Sequence, residues 1–380
     1  MKRIPMPTRL RRHSAVAGLA IAVGLGCQQL QSAVAQGLGP NTDILYVGDA
    51  SDNTVKIFRA SDGASRNGAN GAFVTPSGGL HGPTALLIAG PQLIVNNQNV
   101  NLPNGGEISQ YQLNNGSFAG TWVSKSDPGA PFAPRGAVIK NNVLYVANFV
   151  EDAILGTPGQ VLAFAGDGTS LGALVPDPAK DTRPFRPRGI VVGPDGYLYV
   201  SSDPNFAPPP AGGPKLGAPT TGGQVLRFDP DTLAFTDVVI DDPNSDGSPA
   251  HLNRPEGLIF GPDGKLYVTS FRASTADTDS IRIYDVTATP ATFFKAIQLV
   301  QSNGDRAFAQ ALLFGPDDCL FVPITNTGEV RKYNVGYQKC TDNTRLGNGT
   351  YATFVSPGLL GAPFYLTFGR TDSATLAYPE

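Results

Sequence analysis

The chain copies itself. "FRPRGIVVGPDGYLYVSS", Phe185 to Ser202, and "NRPEGLIFGPDGKLYVTS", Asn253 to Ser270, agree at almost every apolar and turn position. Self-similarity of this kind means one supersecondary unit used several times, and it limits the fold more than any other feature. The unit reads Pro-x-Gly, an apolar run, a tight turn, then Leu-Tyr-Val and a small or polar residue. Further copies begin at Pro83, Pro134, Ala309 and Pro363, so the six starts are spaced by 51, 53, 68, 54 and 54 residues. The longest spacing contains "DPNFAPPPAGGPKLGAPTTGG", whose Pro and Gly content marks a loop insertion.

Each Leu-Tyr-Val is followed by a loop and a third strand, such as "GQVLRFDP" or "SIRIYDV", and then by a weaker fourth, such as "FTDVVI". The β-branched and aromatic content of these runs reads as four short strands per unit. With 45 Gly, 33 Pro and only 16% charged residues, the composition suits many strands joined by tight turns. In Gly-Pro-Asp-Gly at 193–196 and 261–264, Pro presets φ and Asp-Gly is expected to supply the positive-φ pair of a hairpin. Four-strand repeats of this length are propeller blades. "DILYVGD", Asp43 to Asp49, has no inner strand before it, and the copy at Pro363 supplies one just before the chain stops. Joined, they complete a sixth blade beside five internal ones. The expectation is an all-β, six-bladed β-propeller over residues 36–380, closed by the N- and C-terminal strands. Such closure leaves no free sheet edge.

The first 35 residues read differently. "MKRIPMPTRLRR" is basic, Ala15–Leu25 is apolar, and Ala33-Val34-Ala35 fits a signal-peptidase site before Gln36. The apolar run is too short for a stable membrane span. Acylation of Cys27 is the rival reading, but Gly24-Leu25-Gly26 lacks the large aliphatic residue of a lipobox, and the surroundings of Arg11-Arg12 fit a twin-arginine signal badly. Residues 1–35 are therefore expected to be an export signal and the mature chain to be periplasmic or extracellular. The chain has 28 basic and 31 acidic residues; five of the basic ones precede Gln36, which leaves the remainder at net −8. That balance argues against a nucleic-acid or anionic-membrane surface. In an exported chain, Cys319 and Cys340 read as a disulfide pair.

The units resemble NHL repeats and the wider six-bladed family that includes the gluconolactonase/regucalcin-like calcium lactonases. "RPRGIVVGPDGYLYVSS" and "NRPEGLIFGPDGKLYVTS" carry the likeness. The resemblance implies that the residue after each Pro points to the tunnel mouth: Phe364, Thr84, Arg135, Arg188, Glu256 and Gln310. It also implies a divalent metal held there by carboxylates and an Asn. Arg135 and Arg188 stand where such oxygen ligands would be wanted, and two guanidinium groups repel a dication. The mouth is expected to take a small polar or anionic ligand instead, since arginine suits a carboxylate or phosphate. The alternative is that Arg188 and Glu256 pair and plug the tunnel.

A second ring follows Leu-Tyr-Val: Asp49, Asn97, Asn148, Ser202 with Asp203, Ser270 and Ile324. It reads either as a pocket rim, with Asn97, Asn148 and Asp203 as ligand contacts, or as strand caps. His251 is a candidate acid/base partner for Glu256, and His81 also lies just before an inner strand. Asp242, Asn244 and Asp246 form the front half of a calcium loop, but its twelfth position is Asn253, not Glu. Three functions fit: a propeller binding a small polar or anionic ligand or a peptide, a lactonase- or esterase-like hydrolase or a lyase on the same face, and a structural surface protein.

Overall fold

The computed structural model describes residues 43–379, apart from 69–70, 100–104, 150–158, 204–221, 245–247, 249, 302–303, 338 and 341–350. The expected export signal, with Cys27, lies outside the described residues, as does Asp246. Among the described residues, no helix is long and apolar enough to cross a membrane.

Six antiparallel sheets form the blades of a propeller. The first internal blade is β3 (Pro83–Ala89), β4 (Gln92–Asn97), β5 (Glu107–Gln112) and β6 (Phe118–Val123). The second is β7 (Pro134–Lys140), β8 (Val143–Asn148), β9 (Gln160–Phe164) and β10 (Ser170–Leu174). The third is β11 (Pro187–Val192), β12 (Leu198–Ser202), β13 (Gln224–Asp229) and β14 (Ala234–Asp241). The fourth is β15 (Pro255–Phe260), β16 (Leu266–Ser270), β17 (Ser280–Asp285) and β18 (Thr292–Gln298). The fifth is β19 (Leu313–Phe314), β20 (Leu320–Ile324), β21 (Glu329–Tyr333) and β22 (Ala352–Val355). The closing blade joins β1 (Ile44–Asp49) and β2 (Thr54–Arg59) to β23 (Pro363–Phe368).

Two elements differ from the sequence expectation. The closing sheet has three strands, and its fourth place is taken by single bridges, Val55 to Val74 and Phe58 to Ser65. The inner strand of the fifth blade pairs over only two residues, Leu313 and Phe314. Its copy of the motif has Ala309 in place of the leading Pro, and Pro323 in β20 removes one ladder donor.

Burial explains why the second strand of each unit is built on an apolar Leu-Tyr-Val-like run. Every residue of β12, β16 and β20 is buried, because a neighbouring blade covers each face. The outermost strands face water and become polar or small, as in β10, where only Leu174 is buried. The Gly-Pro-Asp-Gly turns close with Gly196 N–H donating to Gly193 O and Gly264 N–H to Gly261 O, both at 2.9 Å. Only the final glycine has positive φ, +84° at Gly196 and +75° at Gly264, so the expected Asp-Gly pair is reduced to Gly. Asp195 serves differently: its carboxylate accepts from the Tyr197 N–H and the Tyr199 hydroxyl.

The third residue of Pro-x-Gly sets how closely the blades approach. A Cβ on Gly189 would lie 2.5 Å from the Glu256 carbonyl oxygen of the next blade. One on Gly136 would meet the Arg188 carbonyl at 2.9 Å, and one on Gly257 the Ala311 Cα at 2.8 Å. The first and fifth blades carry Ala85 and Ala311 at this position.

Closure depends on a few side chains. β1 pairs with β23 from Leu45–Phe368 to Asp49–Pro363. Asp49, fully buried, accepts the N–H groups of Gly361 and Ala362, at 2.8 and 2.9 Å, and an ion pair from Lys56 at 2.7 Å. Beyond β23 the chain hooks beneath the tunnel. The carbonyls of Ser373 and Ala374 accept the N–H groups of Ile139 and Val192, and Leu376 packs against four of the core clusters. Tyr378 donates to Asp43 at 2.9 Å. In the fifth blade, a disulfide joins Cys319 to Cys340.

Two outcomes follow from this packing. Burial alone would raise the Asp49 carboxyl, but hydrogen bonds from Lys56, Ser51 and the Gly361 and Ala362 N–H groups outweigh it and hold the pKa at about 2, against an ordinary 3.8. The folded value lies below the unfolded one, so the stabilisation is complete above about pH 4 and fades as pH falls toward 2. It amounts to about 2 kcal/mol. Urea unfolding across this range should show that loss in the parent chain and little of it in Asp49→Asn. Gly189→Ala should lose about 1–3 kcal/mol by overpacking the Glu256 backbone, a cost that Ala311→Gly at the matching position should not show.

Candidate functional site at the tunnel mouth

Five of the six inner strands start with a register break. Pro187 pairs with Ser202 and Ile190 with Val200, so Arg188 and Gly189 together oppose Ser201. The same shift follows Pro134, Pro255 and Pro83, and the closing blade has one between Gly48 and Asp49. A bulge of this kind bends the strand and re-aims the side chain after Pro. It occurs where the second strands end, which places the residues after Pro and after Leu-Tyr-Val on one face.

The second strand of the preceding blade fixes the backbone of several mouth residues. Asn96 donates to the Arg135 carbonyl at 2.7 Å, and the Ser201 hydroxyl donates to the Glu256 carbonyl. Thr84 uses its own hydroxyl to reach the Pro134 carbonyl at 2.7 Å. Thr84 is thus tied into the blade interface, while the other polar side chains pair, Arg188 with Glu256 and Arg135 with Gln310.

Arg188 Nη1 lies 3.6 Å from Glu256 Oε1, and each side chain is only 5% exposed. Arg135 Nη1 donates to Gln310 Oε1 at 3.5 Å. Phe149, fully buried and directly after Asn148, stacks on the Arg188 guanidinium at 3.7 Å from its centroid and lies 5.7 Å from that of Arg135. Phe364, expected in this ring, is half-buried at the start of β23. The two stretches that differ most in charge within the repeat, at Arg188 and Glu256, are thereby in ion-pair contact.

A second arc of charge lies beside the first. Burial pushes the Arg186 guanidinium down, while Asp203 opposes this and Arg188 adds to it. Burial likewise lowers Arg254, together with Arg306, against the carboxylates of Asp203, Asp279 and Glu256. Arg306 forms an ion pair with Asp279 at 3.0 Å and stacks on Phe308 and Phe271, 4.0 and 4.6 Å from their centroids. Phe308 has φ +52°, a strained conformation for a bulky residue, and its N–H is held by Asp279 at 2.8 Å.

The second predicted ring anchors the entry to five of the inner strands; in the fifth internal blade Ile324 has no polar group to do so. Asn97 Oδ1 accepts from the His81 N–H, and Asn148 Oδ1 from Phe132 and Ala133. Ser202 and Ser270 accept from Arg186 and Asn253 in the same way, each at 3.0 Å. These side chains hold the loop that delivers the mouth residue. Asp203 bonds through its backbone N–H to the Arg186 carbonyl, and its carboxylate faces Arg186 and Arg254.

His251 is placed near Asp242, on the loop between the third and fourth blades. Burial raises the Asp242 carboxyl; the N–H groups of Asn244 and Leu252 and the charges of His251 and Arg282 oppose that rise. Asp242 Oδ1 accepts from Asn244 N–H and Oδ2 from Leu252 N–H, so it shapes this loop. Among the described residues, no group of three or more His, Cys, Asp or Glu side chains is arranged to hold a metal ion.

Tyr365 is a site residue that the repeat pattern did not single out. It follows Phe364 and occupies the position that is Gly or Ala in the other five blades. With Gly136, Gly189, Gly257, Ala85 and Ala311 it lines a narrow axial cavity of about 40 Å³, otherwise walled by Leu and Ile side chains and by Leu376 below. That volume has room for about three waters. The signal in the sequence was the departure itself: Pro-Phe-Tyr where the repeat has Pro-x-Gly.

No family model matches the chain, and no curated protein matches it. Solved structures do. A structure of a nidogen/laminin complex aligns with a TM-score of 0.55 at 14% identity, covering 86% of this chain and 98% of that one. The periplasmic gluconolactonase of Pseudomonas aeruginosa aligns at 0.51 and 16% identity, with the same two coverages. At these identities the likeness shows the fold: a six-bladed β-propeller with a gluconolactonase among its structural neighbours.

The mouth pair should be coupled. Removing one member of a buried ion pair strands its partner, at about 3–5 kcal/mol. Arg188→Met and Glu256→Gln should each destabilise the fold to about that extent, and the double variant by much less than the sum. Additive losses in urea unfolding would mean that the two groups act independently.

Proposed function

We propose that the chain is an exported binding propeller that takes a small anionic ligand at its arginine-bearing mouth. The observation that carries this reading is the convergence of Arg135 and Arg188 on one buried site, both set against the face of Phe149. Stacking on Phe149 fixes the Arg188 guanidinium plane, and a fixed planar fork suits two oxygens of a carboxylate or phosphate. Arg186 and Arg254 add positive charge beside it. In a buried, low-dielectric site such charge acts more strongly than on the surface.

The body of the chain contrasts with this site. Beyond residue 35 it carries net −8. A positive pit in an acidic protein draws anions to one place and repels them elsewhere. Asn97, Asn148 and Asp203 belong to the rim of this reading as holders of the loops around the ligand, and Gln310 and Glu256 as polar neighbours of the arginines.

The test is a panel of small anions, with neutral amides and sugars as controls, measured by thermal shift and isothermal titration. Anions should raise the melting temperature of the parent chain, increasingly as their concentration rises above Kd. Arg135→Ala should weaken that binding by at least about tenfold, as expected for a lost charge-assisted bond. Equal response to neutral and anionic compounds would remove the basis of the reading, and turnover of a lactone or ester by the parent chain would favour the hydrolase in its place.

A further inference from the structure

Tyr365 interrupts a sixfold pattern. Five inner strands put Gly or Ala beside the axis, so the blades can approach closely. The sixth puts an aromatic ring in the space that those small residues leave. Filling that space would need only an apolar side chain, and the rest of the cavity wall is Gly, Ala, Leu and Ile. The chain instead carries a hydroxyl there, and the hydroxyl is buried with no hydrogen-bond partner among the described residues. A buried hydroxyl without a partner has a substantial desolvation cost, which points to a partner that arrives with a ligand or water.

The surroundings of the phenol define that partner. Burial pushes its pKa above the ordinary range; Glu256 adds to the rise, and Arg135 and Arg188 oppose it. The group therefore stays protonated at any physiological pH and acts as a neutral donor below the charged ring. Glu256 is acceptor-only when ionised, and the arginines are donors only. A ligand oxygen lodged between Tyr365 and the two arginines that act on it electrostatically would meet guanidinium and phenol donors together.

The charge of the inner ring sets the ligand's charge. Its six residues, Phe364, Thr84, Arg135, Arg188, Glu256 and Gln310, sum to +1. A monoanion neutralises that ring itself, and Asp203 and Asp279 offset part of the charge that Arg186, Arg254 and Arg306 add beside it. Resting on the proposed anion-binding reading, we infer that the ligand is a monocarboxylate whose oxygen accepts the Tyr365 hydroxyl hydrogen at the tunnel axis, with Tyr365 as a specificity-determining residue of the site. In this arrangement Glu256 is the resident counter-ion of Arg188, and the incoming carboxylate adds to the ring without displacing it.

The experiment compares acetate, glycolate, gluconate and benzoate with inorganic phosphate and acetamide, at mildly alkaline pH where phosphate is a dianion. Parent chain, Tyr365→Phe and Tyr365→Ala are titrated side by side, with melting curves for each. At least one carboxylate should bind more tightly than phosphate, and Tyr365→Phe should weaken it at least about tenfold while keeping the parent melting temperature. Carboxylate binding unchanged in Tyr365→Phe, with only Tyr365→Ala losing stability, would reduce Tyr365 to a space-filler and overturn the inference while leaving anion binding intact. Phosphate binding more tightly than every carboxylate would overturn the monoanion assignment. A parent chain that binds none of the anions would overturn the anion-binding reading itself.

Discussion

Six inner strands can surround one axis only if their backbones approach closely, and the residue two after each leading Pro controls that approach. Gly136, Gly189 and Gly257 have no room for a Cβ against the next blade. Everything at the mouth depends on this contact. The register break beside the glycine turns the residue after Pro toward the axis. Hydrogen bonds from the preceding blade then hold the carbonyls of Arg135 and Glu256. The mouth is thus assembled by blade packing, and no single blade contains it.

The same packing puts opposite charges in contact without water around them. Arg188 and Glu256 come from adjacent blades and are almost fully buried. A buried pair contributes little net stability over an apolar pair, because desolvation offsets the attraction. Its presence at the tunnel mouth is therefore weakly explained by stability. Phe149 stacked on Arg188, and Phe308 in a strained backbone beside Arg306, are further departures from the simplest packing on this face. The opposite end is unlike it: Leu376 and backbone carbonyls from the C-terminal hook complete an apolar closure.

Much of this was legible in the sequence, for a definite reason. Apolar runs, turn residues and the Pro-x-Gly motif act locally, so they repeat wherever the unit repeats. The strand starts at Pro83, Pro134, Pro187, Pro255 and Pro363 are where the motif puts them. Asn97, Asn148, Ser202 and Ser270 were also visible, although their role as anchors of the neighbouring loops becomes clear only from the bonds they make. Less legible were Phe149, Phe308 and Tyr365, since each is defined by what faces it from another blade. The short β19 and the bridges that replace a fourth strand in the closing blade also escaped the pattern, because they depend on ladder partners.

By itself the sequence determined the architecture: a six-bladed propeller closed by its two ends, with a charge reversal between Arg188 and Glu256 at one matched position. That follows because strand period, turn chemistry and repeat spacing are properties of short segments. Only the tertiary structure decided that those charges meet across a blade boundary, that Asp49 ties the closing blade to the chain 312 residues later, and that Tyr365 fills the axis left by five small residues. Contacts between residues far apart in the chain have no local signature; they exist only once the ring has closed.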